Sequence, residues 1–213
     1  MATAIVILIK SEDRKTSRIA NAWQVVNQDT PDDPAKGPVL EYLKGQQISF
    51  EGIDLSGAQL GEVDLSGASL PDADLSGAFL FNTNLSEGNL TNANLSKANL
   101  FGSNLIGARL DTASLSGAYL IIANLLEANL SNADLSKAFL QGTNLAGARL
   151  TEADLSEAYL QGSNLSGAYL TDADLSGANL SSSRNLSQNQ LDKACGNDKT
   201  RLPTGLTVKA CAE

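Results

Sequence analysis

Residues 53–80 read IDLSGAQLGEVDLSGASLPDADLSGAFL, and they decide the fold because every fifth residue from Leu55 onward is a leucine. This register continues unbroken to Leu180. A helix needs apolar residues at a spacing of about 3.6 and a half-buried strand at about 2, so a spacing of five fits neither. A small or apolar residue two positions before each leucine, such as Ala68, provides a second inward position. The pattern therefore predicts three strand-like residues followed by a two-residue turn, so that the chain winds around its own leucines.

The number of units in one circuit follows from a longer repeat. Residues 131–150 match residues 151–170 at 13 of 20 positions, whereas shifts of 5, 10, 15 and 25 residues give only 6 to 8 matches. Four five-residue units then form one coil, with one unit on each of four sides. A period of this length is typical of a solenoid, in which each repeat buries its apolar edge by stacking on its neighbours. The sequence therefore predicts an all-β solenoid.

The stretch quoted above resembles the pentapeptide-repeat family of bacterial and cyanobacterial-like proteins, whose motif is A(D/N)LXX. The resemblance covers residues 46–183. It implies a right-handed, four-sided (quadrilateral) β-helix in which the leucine and the small residue two positions before it point inward. We divide the chain into an N-terminal helical cap and linker (1–45), the β-helix (46–183) and a C-terminal helical cap and tail (184–213).

A few residues depart from the repeat at the small inward position. These are Thr83, Gly88, Ser103, Thr143 and Ser163. All but Gly88 fall on one side of the coil, where their hydroxyls are expected to bond each other or the backbone turns. We interpret them as packing variations and not as a site.

The acidic charge of the chain is concentrated in the repeats. Residues 51–180 carry 15 acidic and 4 basic residues, a net charge of −11, whereas residues 1–50 sum to 0 and residues 181–213 to +2. Because such a surface repels phosphate backbones, direct nucleic-acid binding is not expected. The chain has no histidine, and its serines lack a partner that would activate them. We therefore expect a protein that is not an enzyme and that holds neither cofactor nor metal.

Two short helices are predicted before the repeats. Within residues 12–27, four residues recur at helical spacing: Ile19, Ala22, Trp23 and Val26. Pro38 and Gly45 bracket a second helix. The favoured role of both is to cover the first coil, since an open end would expose apolar side chains and unpaired strand groups. The alternative is that Trp23 binds a partner.

The first residues bear on location. Met1 to Ile9 are apolar, but they fall far short of the ~20 residues that cross a bilayer and lack the basic start of a signal peptide. Membrane contact is therefore not expected for the chain as written, and the prediction is a cytoplasmic protein. The thylakoid lumen and membrane association are the alternatives, and tethering would require apolar residues before Met1.

The C-terminal tail is predicted to close the other end of the β-helix. Ser187 and Gln190 have the spacing of a capping box, which predicts one helix from Gln188 to Cys195 that ends at Gly196. Cys195 and Cys211 are the only cysteines. A structural disulfide and a pair of reduced thiols are both consistent with the sequence. Neither cysteine has a histidine to activate it, and two cysteines alone rarely hold a metal.

One predicted side of the β-helix differs from the others, and we call it the aromatic side. It is centred on the leucines from Leu80 to Leu160 that recur every twenty residues, and its outward residues include Phe79, Phe81, Phe101, Tyr119, Ile121, Phe139 and Tyr159. A ladder of aromatic rings stabilises a sheet by itself, whereas an exposed apolar patch is typical of an interface. The adjoining side carries serines and aspartates, including Asp74 and Asp134. These single carboxylates lack the loops that supply further oxygens to calcium, so we do not expect a calcium site.

The predicted function is therefore a rigid protein–protein interaction module that acts through the aromatic side on an unknown protein partner or on a second copy of the chain. The family resemblance implies two alternatives. One is a DNA-mimicking modulator of DNA gyrase or topoisomerase, which an acidic rod would suit. The other is a membrane-tethered accessory protein.

Overall fold

The computed structural model describes residues 15–28, 30 and 32–211. Met1 to Ile9, on which the expectations about membrane contact depend, lie outside these residues. The described chain forms a right-handed, four-sided β-helix with short helical segments at its ends, which confirms the predicted fold. None of the described helices combines the length and the apolar character that a membrane span requires.

Successive coils pair in parallel with a register of twenty residues. Asp54 pairs with Asp74, Asp74 pairs with Asn94, and the same offset continues along the repeats. The amide of Asp74 donates to the carbonyl of Ile53 in the preceding coil at 2.8 Å, and the amide of Leu75 donates to Asn94 in the next coil at 2.7 Å. The twenty-residue period of the sequence is therefore the pairing register of the structure.

Leucine fills the axis of the β-helix. Every leucine of the register from Leu55 to Leu180 is buried, as are the alanines two positions before them. The chain turns between sides at the second residue after each leucine from Leu55 to Leu175, where φ is positive, as at Gly77 (63°) and Lys97 (58°). Glycine adopts this conformation readily, but a β-branched residue such as Ile122, with φ of 53°, is strained there.

The inward hydroxyls bond to backbone carbonyls. Thr83 donates to the carbonyl of Leu60 in the preceding coil at 2.6 Å, and Ser103 donates to the carbonyl of Leu100 in its own coil at 2.8 Å. The same two arrangements recur three coils later. These hydroxyls were expected to bond either each other or the backbone, and in the structure they bond the backbone.

The N-terminal cap consists of helix α1, which includes residues 15–26, and helix α2, Lys36–Gly45. Ala22 and Val26 of α1 are buried, and the ring of Trp23 meets Phe50 edge-on at a centroid distance of 6.1 Å. In α2, Leu40 and Leu43 are buried. Helix α2 begins two residues before Pro38, because the first turn of a helix tolerates proline.

Two side chains of α2 bond to the edge of the first coil. The carboxylate of Glu41 accepts a hydrogen bond from the amide of Asp64 at 2.7 Å. Lys44 donates to the carbonyl of Asp64 at 2.7 Å and forms an ion pair with its carboxylate at 3.2 Å. The edge that has no preceding coil is therefore partly satisfied by side chains.

The C-terminal tail contains helix α3, Gln188–Leu191, and strands β1, Cys195–Gly196, and β2, Lys209–Ala210, which pair in parallel. The predicted helix through Cys195 is therefore wrong. Cys195 instead rejoins the sheet, because its amide donates to Ala173 at 3.0 Å and its carbonyl accepts from Leu175 at 2.8 Å. A disulfide joins Cys195 to Cys211 and closes the tail.

Candidate functional site

The fold brings all seven residues of the aromatic side onto one surface. Outward residues directly before the inward leucine form one column, and those directly after it form a second column, because the coils stack at a twenty-residue offset. The first column contains Phe79, Tyr119, Phe139 and Tyr159, and the second contains Phe81, Phe101 and Ile121. The two columns are not uniform along the rod.

Three rings of the first column stack on one another. The rings of Tyr119 and Phe139 are nearly parallel, with centroids 4.8 Å apart, and those of Phe139 and Tyr159 are 5.1 Å apart. Each ring covers the next, so this part of the aromatic side contributes to the stability of the sheet. These three rings therefore form the kind of aromatic ladder that the sequence offered as one explanation of this side.

The remaining phenylalanines do not stack. Among the described residues, no ring contact involves Phe79, Phe81 or Phe101. The ring of Phe81 lies over Gly61, where the missing side chain leaves room for it. Phe79 and Phe101 are 42% and 43% exposed, which is high for side chains of this size. Tyr119 and Tyr159 of the ladder are exposed to a similar degree, so Phe79 and Phe101 differ from them in having ring faces that no described ring covers.

A shallow groove of about 470 Å³ lies beside Phe79 and Phe101. Its remaining lining residues are Gly77, Lys97, Asn99, Tyr119 and Ile121. Lys97 and Asn99 supply polar groups to this groove and were not among the site residues predicted from the sequence. Asn99 lies in the first column between Phe79 and Tyr119, and the twenty-residue period of the sequence was sufficient to predict this position.

Two exposed apolar residues were also missed. Ile122 follows Ile121 at a turn of the aromatic side and is 56% exposed, and Tyr169 lies on another side and is 59% exposed. The equivalent turns in the other coils of the same side carry Gly, Asn or Glu at positive φ. An isoleucine at a turn position that otherwise carries glycine or a polar residue was the feature of the sequence that could have predicted the exposure of Ile122.

The aspartates of the adjoining side bond to their own turns. Asp74 accepts a hydrogen bond from the amide of Ser76 at 2.9 Å, and Asp134 accepts one from Ser136 at 2.9 Å. The same contact at Asp64, from the amide and hydroxyl of Ser66, together with Lys44, lowers the pKa of Asp64 to about 2. The carboxylates therefore have a structural role.

One group of potential metal ligands is found among the described residues. Asp174 lies beside Cys195 and Cys211, with a carboxylate oxygen 3.2 Å from the sulfur of Cys211. Both cysteines belong to the disulfide, so neither has a thiolate to offer a metal. The carboxylate is therefore a neighbour of the disulfide and not part of a formed metal centre.

Comparison with known proteins gives a family match over most of the rod. The model of the pentapeptide repeats matches eight copies, over residues 48–86, 80–117, 113–151 and 148–184. Among solved structures, the chain is similar to HetL, a pentapeptide repeat protein involved in heterocyst differentiation regulation in the cyanobacterium Nostoc sp. strain PCC 7120. The identity is 33%, over 73% of this chain and 76% of HetL, with a TM-score of 0.41.

Two further structures are similar over part of the chain. A pentapeptide repeat protein of the Arabidopsis thaliana thylakoid lumen is 28% identical over 53% of this chain and 65% of its own length, with a TM-score of 0.26. QnrB1, a plasmid-mediated fluoroquinolone resistance protein, is 21% identical over 70% of this chain and 82% of its own, with a TM-score of 0.32. No curated protein matches the chain.

Proposed function

This chain belongs to the pentapeptide-repeat family, and from that premise we propose that it is a non-enzymatic β-helix that binds a partner protein through Phe79 and Phe101 of its aromatic side. The observation that carries the proposal is the division of that side. Tyr119, Phe139 and Tyr159 stack on one another, whereas Phe79 and Phe101 are exposed to a similar degree as the two tyrosines but have no ring partner among the described residues.

The rigidity of the rod favours binding by these two residues. Each coil is bonded to the next on all four sides, so the positions of Phe79 and Phe101 are fixed before a partner arrives. A preorganised surface loses little conformational entropy when it binds. Clustered aromatic side chains also supply a large part of the binding energy in many interfaces.

The charge of the rod favours a different protein over a second copy of the chain. Residues 51–180 have a net charge of −11, so two rods placed side by side repel each other. The repulsion is strongest at low ionic strength. We therefore propose a heterologous partner, with self-association as the competing outcome.

The test is a double variant, Phe79→Ser with Phe101→Ser, compared with Phe139→Ser. The double variant should lose partner capture from an extract of the native host but keep nearly the wild-type melting temperature, because neither ring stacks. Phe139→Ser breaks two ring contacts and should lose about 1 to 2 kcal/mol of stability while it still captures the partner.

Analytical ultracentrifugation of the same proteins separates a heterologous partner from self-association. If the wild-type protein dimerises and the double variant does not, the partner of this surface is a second copy of the chain and not a different protein. Unchanged capture by the double variant would contradict the proposed interface altogether.

A second candidate function is modulation of DNA gyrase, and the acidic rod is the observation that favours it. A surface with a net charge of −11 over residues 51–180 offers the sign of charge that a DNA-binding enzyme recognises. A supercoiling assay tests this candidate directly. Inhibition that persists in the double variant would move the function from the aromatic side to the acidic sides.

A further inference from the structure

We propose that the aromatic side contains a slot that receives one aromatic side chain of the partner protein, at the place where Asn99 interrupts the first column between Phe79 and Tyr119. This inference rests on the proposed function and specifies the chemistry of the partner. The partner segment would carry an aromatic residue next to an acidic one, within a sequence that is otherwise neutral or basic.

The spacing of the column defines the slot. Phe79 pairs with Asn99, and Asn99 pairs with Tyr119, so the two rings are separated by two coils. Rings in adjacent coils of this column stack at 4.8 and 5.1 Å. Two strand spacings of about 4.8 Å place Phe79 and Tyr119 about 10 Å apart. One inserted ring would then lie at stacking distance from both.

The walls of the slot leave it open to solvent. Phe101 and Ile121 flank it on the second column, and Gly77 and Lys97 flank it on the adjoining side. A side chain added at Gly77 would meet no atom within 4 Å, which shows that this flank is open space. An aromatic ring of the partner would therefore approach from this flank and occupy the outer part of the slot, above the short side chain of Asn99.

The side chain of Asn99 lies at the floor of the slot, between the two rings in the column, and it is shorter than either ring. Its oxygen accepts a hydrogen bond from the amide of Phe101 at 3.2 Å. Elsewhere such an asparagine donates from its amide nitrogen to the preceding coil, as Asn94 does to Asp74 at 3.0 Å. At Asn99 the preceding coil offers Phe79, which has no acceptor. The amide nitrogen of Asn99 has no partner among the described residues.

Lys97 is a second unused donor at the slot. It is one of four basic residues in residues 51–180, and it forms no ion pair with any described residue. Its ammonium and the amide of Asn99 together favour an acceptor on the incoming segment, and a carboxylate satisfies both. Because the rest of the rod is acidic, further acidic residues in that segment would be repelled.

The experiment uses the full chain and an acetylated peptide, Lys-Gly-Trp-Glu-Gly-Lys, as the probe. Titration followed by NMR should shift the amide signals of Gly77, Lys97, Asn99, Phe101 and Tyr119. Replacing the peptide's Trp with Leu should weaken binding at least tenfold, and replacing its Glu with Gln should weaken it severalfold.

Two matched variants of the same column test the slot itself. Asn99→Phe completes the ladder from Phe79 to Tyr159, so it should abolish peptide binding while the melting temperature stays the same or rises. Asn179→Phe adds a ring beyond Tyr159, at a position with the same asparagine-to-amide contact, and should leave peptide binding unchanged.

Peptide binding to Asn99→Phe as tight as to the wild type, or no binding to the wild type at millimolar peptide, would overturn the slot. The proposed function is judged separately by capture of the native partner. If Asn99→Phe captures it but the Phe79→Ser, Phe101→Ser variant does not, the interface stands and the slot is wrong. Capture by both variants would reject the interface and the slot together.

Discussion

The two ends of the β-helix are closed in different ways. At the N-terminal end, two helices pack over the first coil and bond to it through the side chains of Glu41 and Lys44. At the C-terminal end, the tail extends the sheet: Leu180 donates to Arg201 at 2.7 Å, and Arg201 donates to Ala178 at 2.9 Å. A disulfide between Cys195 and Cys211 then links two segments of this tail to each other.

The difference shows how a helical cap and an extended tail each satisfy the unpaired backbone groups at an open sheet edge. A helix uses most of its backbone groups internally, and here α2 satisfies the amide of Asp64 with the side chain of Glu41. An extended tail satisfies such groups with its backbone and continues the register. The N-terminal cap therefore depends mainly on apolar contacts such as Trp23 with Phe50, and we expect it to be the weaker end.

The largest effect is expected from deleting residues 1–45. The first coil would then expose Phe50 and Leu55, and the rods should aggregate or associate end to end. Dynamic light scattering measures this, with deletion of residues 186–213 as the comparison at the other end. A truncated protein that stays monomeric with an unchanged melting temperature would show that the helices have a partner-binding role instead of a capping role.

The next largest effect is expected at the disulfide. Changing Cys195 and Cys211 together to Ser removes a cross-link between residues 16 positions apart, which corresponds to about 3 kcal/mol. The loss should be confined to the tail, because the coils keep their own hydrogen bonds. Hydrogen exchange should become faster in residues 195–211 and stay unchanged in the middle coils. Faster exchange throughout the rod would contradict this view of the tail.

A matched pair of polar substitutions compares the two ends more finely. Gln190 donates to the carbonyls of Leu165 and Ala168 at 2.8 and 2.9 Å and accepts from the amide and hydroxyl of Ser187 at 2.9 and 2.8 Å, whereas Glu41 accepts from one amide. At about 0.5 to 1 kcal/mol per bond, Gln190→Ala should cost about 2 kcal/mol or more and Glu41→Ala about 1 kcal/mol or less. Urea unfolding measures both, and the reverse order would mean that the cap depends on its polar contacts.

The smallest effect is expected from acid. The folded-state pKa of Asp64 is about 2 and its ordinary value is 3.8, so its stabilising contribution is complete above about pH 4 and is lost as the pH falls through about 2. The N-terminal cap should loosen in that window, and the fluorescence of Trp23, the only tryptophan, should shift to longer wavelength. The Asp64→Asn variant should lack this step.

In the same acid titration the β-helix serves as the control, because its coils should stay folded while the N-terminal cap loosens. Its leucines are buried and its carboxylates bond to local turns, so the strand-type circular dichroism spectrum should persist at pH 4. Loss of that spectrum from soluble protein would mean that ionised side chains hold the coils together.

The fold was predictable because its rule is local and repeated. Each leucine faces inward for the same reason as the one twenty residues before it, so the spacing alone predicted the register that Asp54 and Asp74 show. The tail has no such repeat. A helical spacing through Cys195 could not reveal that this residue pairs with Ala173 and Leu175, because that pairing depends on where the last coil ends.

The candidate site was predictable in its membership but not in its detail. The period placed Phe79, Phe101 and Phe139 on one side, yet it treated the aromatic residues as equivalent. Among the described residues of this side, only the three consecutive rings of the first column stack, whereas Phe81 and Phe101 of the second column do not, and the polar residue between Phe79 and Tyr119 interrupts the first column. Lys97 reaches the groove from the adjoining side of the β-helix. The sequence period assigns each residue to one side, so it could not predict a groove lined by two sides.

The constant register also decides which changes of length this protein could accept during evolution. An insertion of five residues after Leu125 would keep every leucine buried but rotate all later coils by a quarter turn, which would remove Phe139 and Tyr159 from the aromatic side. Duplication of a whole coil would add about 4.8 Å to the rod and leave every side aligned. A lineage that needs this surface is therefore free to lengthen the gene in steps of sixty nucleotides, but not in steps of fifteen.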